Sequence, residues 1–182
     1  EAERQKLGIP PLPLSPEQTL EVCQLLESPP AGKEKLLLDL LKNRVSPGVD
    51  PAAKVKAEWL AKVAHGESSS PLIPRKDAVF LLGTMLGGYN VDPLVEFLDN
   101  PELASDASEA LKHTILVYGA FDRIVEKSQS NLQARSVLES WANGDWFLKR
   151  PTFPDRMTFK VFKVDGEINT DDFSPAKHAS TR

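Results

Sequence analysis

The chain has 182 residues, 41% hydrophobic and 26% charged, which is typical of a globular protein of one domain or one domain plus part of another. Its 22 basic and 26 acidic residues give a net charge of −4, which does not favour binding to nucleic acid. No apolar run approaches the ~20 residues needed to cross a bilayer. The single cysteine, Cys23, excludes an internal disulfide and a self-contained zinc or iron–sulfur site. We therefore expect a cytoplasmic protein with no complete metal site.

Helix-forming patterns separated by proline and glycine dominate the chain up to about residue 150. Residues 1–14 are rich in proline and predict an extended leader. Ser15 and Gln18 have the spacing of a capping box, and the proline between them also favours the start of a helix. The leucine-rich run from Lys33 to Asn43 predicts a second helix, whose wide apolar face indicates packing on two sides.

A short sequence that occurs twice predicts a repeat. Gly48-Val49-Asp50-Pro51 recurs as Asn90-Val91-Asp92-Pro93, and each aspartate before a proline predicts the capped start of a helix. Repeats of about 40 residues made of two helices are typical of HEAT and armadillo proteins. The pattern predicts an all-α domain over residues 15–150, built as a HEAT-like stack of antiparallel helix pairs. An irregular helical bundle is the alternative, because Asp-Pro opens helices of many kinds.

The last part of the chain has a different pattern. Residues 151–156 contain two prolines and predict a linker. Residues 157–164 alternate in polarity and are rich in β-formers, so they predict a strand that ends at the turn Asp165-Gly166. Because a lone strand is not stable, residues 157–182 predict a short strand and a polar loop that begin a second, truncated domain.

Three motifs together resemble the bacterial aconitase B family. They are Gly83-Thr84-Met85-Leu86-Gly87-Gly88-Tyr89-Asn90, then Trp141 with Trp146-Phe147-Leu148, and then Val164 to Ala176 with Gly166-Glu167, Asn169-Thr170-Asp171-Asp172 and Ser174-Pro175. The similarity covers essentially the whole chain. It implies that a HEAT-like helical domain is followed by the first strand and active-site loop of a swivel domain, and that three further domains of the full-length enzyme hold a [4Fe–4S] cluster.

The resemblance also implies an activity, that of aconitate hydratase. This hydro-lyase of the tricarboxylic acid cycle isomerises citrate to isocitrate through cis-aconitate, and the B type is also implicated in the dehydration of 2-methylisocitrate. One iron of the cluster acts on the substrate as a Lewis acid. The family's cluster cysteines lie beyond residue 182, so we expect this chain alone to carry no cofactor and to be inactive.

The resemblance implies partners for the helical domain as well. In the family this domain is associated with substrate channelling, self-association as a homodimer and contacts with regulatory proteins. RNA binding by the cluster-free parent is not supported by the charge of this chain. A different class of function stays open, namely an independent helical-repeat scaffold for protein–protein interaction. A reading frame that continues beyond residue 182 into several hundred residues with a Cys…Cys-x-x-Cys set would favour the enzyme.

The resemblance gives the candidate site residues. Arg182 lies where the family has an arginine that binds a substrate carboxylate, and its guanidinium can supply the planar two-point contact that a carboxylate accepts. Thr170, Asp171 and Ser174 correspond to the loop that lines the pocket. The alternative for these three is an Asx- or ST-turn that only shapes the loop. We predict no catalytic residue and no metal ligand in this chain.

Other residues have mainly structural interpretations. Gly83, Gly87 and Gly88 predict a close helix crossing and a helix end rather than a phosphate-binding loop, because no lysine followed by serine or threonine comes after them. The neighbouring pair Tyr89-Asn90 could instead face a substrate channel. Buried or structural roles are predicted for Cys23 and His113, and core or domain-interface roles for Trp141, Trp146 and Phe147.

Overall fold

A computed structural model describes residues 2–6, 11–149, 152–158 and Gly166. The described residues contain ten α-helices and no β-strand, which confirms the predicted all-α class. The helices are α1 (Ala2–Lys6), α2 (Pro16–Glu27), α3 (Glu34–Asn43), α4 (Pro51–His65), α5 (Arg75–Gly83), α6 (Val91–Phe97), α7 (Ala104–His113), α8 (Phe121–Ser128), α9 (Leu132–Ala142) and α10 (Asp145–Leu148). A short 3₁₀ helix, Tyr118–Ala120, precedes α8.

The chain divides into two compact units. One is Pro13–Leu148, which contains α2 to α10, and the other consists of Glu1–Leu12 and Lys149–Arg182. The predicted extended leader over residues 1–14 is wrong for its first part, because Ala2–Lys6 form helix α1 of this second unit. The predicted strand over 157–164 falls mostly outside the described residues, and its first two residues, Met157 and Thr158, are not in a strand.

Consecutive helices of the larger unit contact each other in pairs: α2 with α3, α4 with α5, α6 with α7, and α8 with α9. The direction of α4 and α5 follows from the contacts at their ends. Arg75, at the start of α5, donates from Nε to the carbonyl of Ala64 at the end of α4, at 2.7 Å. At the other end, the amide of Gly48 before α4 donates to the carbonyl of Met85 after α5. The predicted antiparallel pairing is therefore present for α4 and α5.

Successive pairs stack with equivalent helices parallel. Arg75 at the start of α5 bonds to Glu102 just before α7 at 2.7 Å, whereas the ends of the two helices meet at Gly83 and Ala110. Asp92 and Arg123 pair near the starts of α6 and α8. Contacts between the pairs join α2 to α4, α5 to α7, and α7 to α9. The HEAT-like assignment of these helices stays a prediction.

Local capping explains where several helices begin and end. Ser15 and Gln18 form the predicted capping box, in which the amide of Gln18 donates to Ser15 Oγ at 3.2 Å and the amide of Ser15 donates to Gln18 Oε1 at 3.0 Å. Asp50 caps α4 as predicted, because its Oδ1 accepts from the amide of Ala52 at 2.8 Å. Gly66 ends α4 with φ of 85°, a left-handed conformation that favours glycine.

The prediction that Asp92 caps a helix is wrong. Helix α6 begins at Val91, so Asp92 lies inside its first turn instead of preceding the helix. Pro93 is tolerated there because the first amides of a helix have no intrahelical acceptor, so a proline removes no hydrogen bond. The free carboxylate of Asp92 reaches across to Arg123 of α8 instead.

One continuous hydrophobic core runs through the stack. Its largest fully buried side chains include Leu26 of α2, Leu60 of α4, Phe97 of α6 and Ile124 of α8. Cys23 is fully buried in this core, as predicted for a small hydrophobic residue. Burial of each large side chain contributes about 1.5–3 kcal/mol relative to exposure, so the helix pairs are stabilised by one another rather than individually.

Candidate interaction surfaces

The site residues predicted from the sequence, Arg182, Thr170, Asp171 and Ser174, all lie outside the described residues, and their roles stay predictions. In the described ranges, no group of three or more His, Cys, Asp or Glu side chains could hold a metal ion. No helix there is long and apolar enough to span a bilayer. The candidate functional features of the described residues are therefore the surfaces and buried polar groups of Pro13–Leu148.

A buried cysteine and a buried lysine face each other across α2 and α4. Burial raises the pKa of the Cys23 thiol to about 12, so at neutral pH it presents no thiolate for metal binding. Burial also lowers the pKa of Lys56 to about 8, and only 4% of this residue is exposed. The sequence reasoning missed Lys56, although its spacing from Ala52 and Leu60 places it on the buried face of α4.

Gly83 at the end of α5, and Gly87 and Gly88 in the segment that follows it, permit three close approaches. A Cβ on Gly83 would lie 2.7 Å from Ala110 Cβ, which confirms the predicted close helix crossing, here between α5 and α7. A Cβ on Gly87 would lie 2.7 Å from the carbonyl oxygen of Leu116, and one on Gly88 equally close to that of Gly48. These glycines therefore serve packing, and the segment follows a helix rather than the strand that a phosphate loop requires.

Asn90 ties the same segment to the end of α5. The residue is fully buried, and its Nδ2 donates to the carbonyl of Leu82 at 2.8 Å. Carbonyls in the last turn of a helix lack intrahelical donors, so this side chain satisfies one of them. The alternative in which Asn90 faces a substrate channel is wrong. The adjacent Tyr89 is partly exposed.

A groove of about 360 Å³ lies along the crossing of α5 and α7. It is lined by Phe80, Gly83, Thr84, Asp106, Glu109, Ala110 and His113. Phe80 is 68% exposed, so a large apolar side chain at the groove faces solvent. The two acidic side chains have basic neighbours, Lys76 at 3.6 Å from Asp106 and Lys112 at 2.6 Å from Glu109. His113, predicted to be structural, is an exposed residue at the end of α7.

The aromatic residues near the end of the larger unit have different environments. Trp141 is partly buried, donates from Nε1 to the carbonyl of Leu111 at 2.9 Å, and stacks on Phe121 with ring centroids 6.4 Å apart. Its predicted role as a core anchor is confirmed. Trp146 and Phe147 of α10 are exposed, so they are not core residues, and an interface role for them stays a prediction.

The fold and these surfaces define an all-α domain that offers a groove and exposed apolar side chains, without a catalytic constellation in its described residues. A family model, the aconitate B N-terminal domain, matches residues 1–147. The chain belongs to this family.

Curated relatives extend the similarity over the full chain. It is 52% identical to aconitate hydratase B of Synechocystis sp., over 100% of this chain and 21% of the relative. It is 53% identical to aconitate hydratase B of Pseudomonas aeruginosa, over 99% of this chain and 21% of the relative. The protein of the same name from Escherichia coli is 51% identical over 100% of this chain and 21% of the relative. The chain thus spans about a fifth of the length of these relatives.

Proposed function

We propose that this chain is the N-terminal part of an aconitate hydratase of the B type. Such an enzyme interconverts citrate and isocitrate through cis-aconitate, and dehydration of 2-methylisocitrate is a second reaction of the same kind. The observation that carries the proposal is that curated aconitate hydratases B are about half identical over essentially the whole chain, including residues 148–182 beyond the family model. Cys23 is a free thiol, which agrees with a reducing cytoplasm.

The helical domain has a supporting role in this proposal. Its described residues supply no catalytic group, whereas the stack presents the α5–α7 groove and several exposed apolar side chains to its surroundings. Surfaces of this kind suit contacts with other domains or proteins. They support roles in substrate channelling, in self-association as a homodimer and in contacts with regulatory proteins.

The proposed enzyme uses a [4Fe–4S] cluster, which supplies a Lewis acid for the substrate hydroxyl and carboxylate. The described residues of this chain do not fit as its ligands, since the Cys23 thiol is buried and holds its proton well above neutral pH. The ligands would therefore come from the part of the enzyme that follows this chain. Arg182 would bind a substrate carboxylate through two N–H donors, and Thr170, Asp171 and Ser174 would line the same loop.

The test is to express the protein encoded by the complete reading frame, to reconstitute it with iron and sulfide, and to measure formation of cis-aconitate from citrate and from isocitrate. We expect turnover that is lost when the cluster is removed by oxidation and chelation. A protein that assembles a cluster but does not convert either substrate would contradict the proposal.

The α5–α7 groove favours a second candidate, a helical-repeat scaffold that binds a partner protein without any hydratase. Phe80, 68% exposed beside this groove, is the kind of aromatic anchor that protein interfaces use. A reading frame without the downstream Cys…Cys-x-x-Cys set would favour the scaffold.

A further inference from the structure

Five exposed apolar side chains lie along one edge of the helix stack. This apolar ridge consists of Val49, Leu86, Tyr89, Leu116 and Tyr118, all of which stand in loops or in the short 3₁₀ helix rather than on α-helices. Tyr118 is 81% exposed and Val49 76%. So many large apolar side chains at one edge mark an interaction surface more strongly than single exposed residues do.

The ridge is continuous because the glycine contacts bring its loops together. A Cβ on Gly88 would lie 3.4 Å from Val49 Cγ1, and a Cβ on Gly87 would lie 2.8 Å from Leu116 Cβ. Gly88, Leu116 and Tyr118 also line a common depression of about 310 Å³. Three segments that are distant in sequence therefore present one surface.

The backbone of the ridge is strained at two of its members. Leu86 and Tyr118 have φ of 63° and 39°, and they are the two non-glycine residues with positive φ in the described ranges. Bulky L-residues rarely adopt this conformation, and it persists only where the surroundings enforce it. The fold therefore holds the Leu86 and Tyr118 side chains toward solvent, 62% and 81% exposed, where another surface can contact them.

The lack of charged residues on the ridge restricts the kind of partner that can bind there. None of its members is charged, and the charges at its margin, Asp92 and Arg123, already pair with each other. A nucleic acid or another polyanion therefore finds no unpaired cation among these residues, whereas an apolar protein surface fits. A fixed, uncharged surface of this kind is typical of permanent contacts rather than of transient ones.

We propose that the apolar ridge is the surface against which the catalytic part of the same polypeptide docks, with Tyr118 as its principal anchor. This inference rests on the proposed function, because it requires the remaining four-fifths of the length that the relatives have. Docking within one polypeptide also benefits from a high effective concentration, so a ridge of modest area is sufficient.

The first test compares hydrogen–deuterium exchange of the 182-residue chain with that of the protein from the complete reading frame. Amides of residues 84–90 and 115–120 are expected to exchange about tenfold more slowly in the long protein, because docking suppresses local opening. The start of α9 near Leu132, at the opposite edge of the stack, serves as the internal reference. Equal exchange of the ridge in the two proteins would overturn the proposal.

The second test uses Tyr118→Gly in both proteins. Glycine removes the anchor but accepts the positive φ, so thermal stability of the 182-residue chain should be unchanged or higher. In the long protein, protection of residues 84–90 should fall to that of the short chain, whereas the control Leu132→Ser should retain it. Protection of residues 84–90 that survives Tyr118→Gly would refute intramolecular docking. A homodimer of the short chain that depends on Tyr118 and explains all of the protection would refute it as well.

The outcome for the ridge is separate from that for the proposed function. Exchange measurements report docking whether or not the long protein is active. A wild-type long protein that protects the ridge but converts no citrate would refute the hydratase and leave the ridge confirmed. An active wild-type long protein with an unprotected ridge would confirm the hydratase and refute the docking proposal.

Discussion

Replacement of Lys56 by methionine should make the domain more stable at neutral pH. Lys56 is 4% exposed, and burial lowers its pKa from the ordinary 10.5 to about 8. At neutral pH the folded protein must hold a charged ammonium group where burial disfavours charge. A pKa difference of about 2.5 corresponds to roughly 3 kcal/mol, and Lys56→Met removes this cost while keeping a long apolar side chain.

The gain should depend on pH in a defined direction. Between about pH 8 and pH 10.5 the unfolded chain binds the lysine proton more often than the folded one, so stability of the wild type rises with pH there. Burial raises the pKa of Cys23 from 9.0 to about 12, and above about pH 9 this opposes the rise. Since both proteins contain Cys23, its effect is largely removed in the difference between them. That difference should shrink from pH 8 upward and nearly vanish by about pH 10.5.

The assay is urea unfolding of the 182-residue chain, followed by far-ultraviolet circular dichroism at several pH values. The matched control is Lys54→Met on the same helix, because Lys54 is exposed and forms only a surface pair with Glu58 at 3.8 Å. Its effect should stay within about 0.5 kcal/mol at every pH. If Lys56→Met is less stable than the wild type, or if its advantage does not change with pH, the attribution to burial of a charge is wrong.

Three further substitutions test other parts of the account. Gly83→Ala should lower the free energy of unfolding by about 1–3 kcal/mol, since its Cβ would lie 2.7 Å from that of Ala110, and Ala110→Gly in the same chain should restore part of the loss in urea unfolding. Asn90→Asp should cost about 3 kcal/mol or more by the same assay, because a buried carboxylate cannot donate to the carbonyl of Leu82; a cost below that of a surface substitution would contradict this. In the long enzyme, Arg182→Lys should lower kcat/KM roughly ten- to a hundredfold with an unchanged iron–sulfur spectrum, and wild-type kinetics would show that Arg182 does not bind substrate.

The helices were predictable where the signal is local. The capping box of Ser15 and Gln18 and the cap at Asp50 depend on groups within a few residues, so sequence spacing was sufficient. The same reasoning failed at Asp92. Proline fits several positions in the first turn of a helix, so Asp92-Pro93 does not determine at which residue α6 begins. The close helix crossing at Gly83 was predictable as a type of contact, although not its partner Ala110.

The candidate surfaces were less predictable because they depend on distant segments. Tyrosine rarely adopts a positive φ, and the residues around Tyr118 give no sequence signal that it does so here. The spacing within α4 places Lys56 on the buried face, but a lysine at that position is usually exposed, and its burial comes from the packing of α2 on α4. The site residues Arg182, Thr170, Asp171 and Ser174 came from family resemblance, and they lie outside the described residues.

A side-by-side measurement tests most directly whether this chain is the non-catalytic N-terminal part of an aconitate hydratase. The 182-residue chain and the protein from the complete reading frame are purified, reconstituted with iron and sulfide, and assayed for bound iron and for citrate turnover. We expect the long protein to bind a cluster and to form isocitrate, and the short chain to do neither, because one buried thiol cannot hold a cluster. Bound iron or turnover in the short chain, or their absence in the long protein, would contradict the claim.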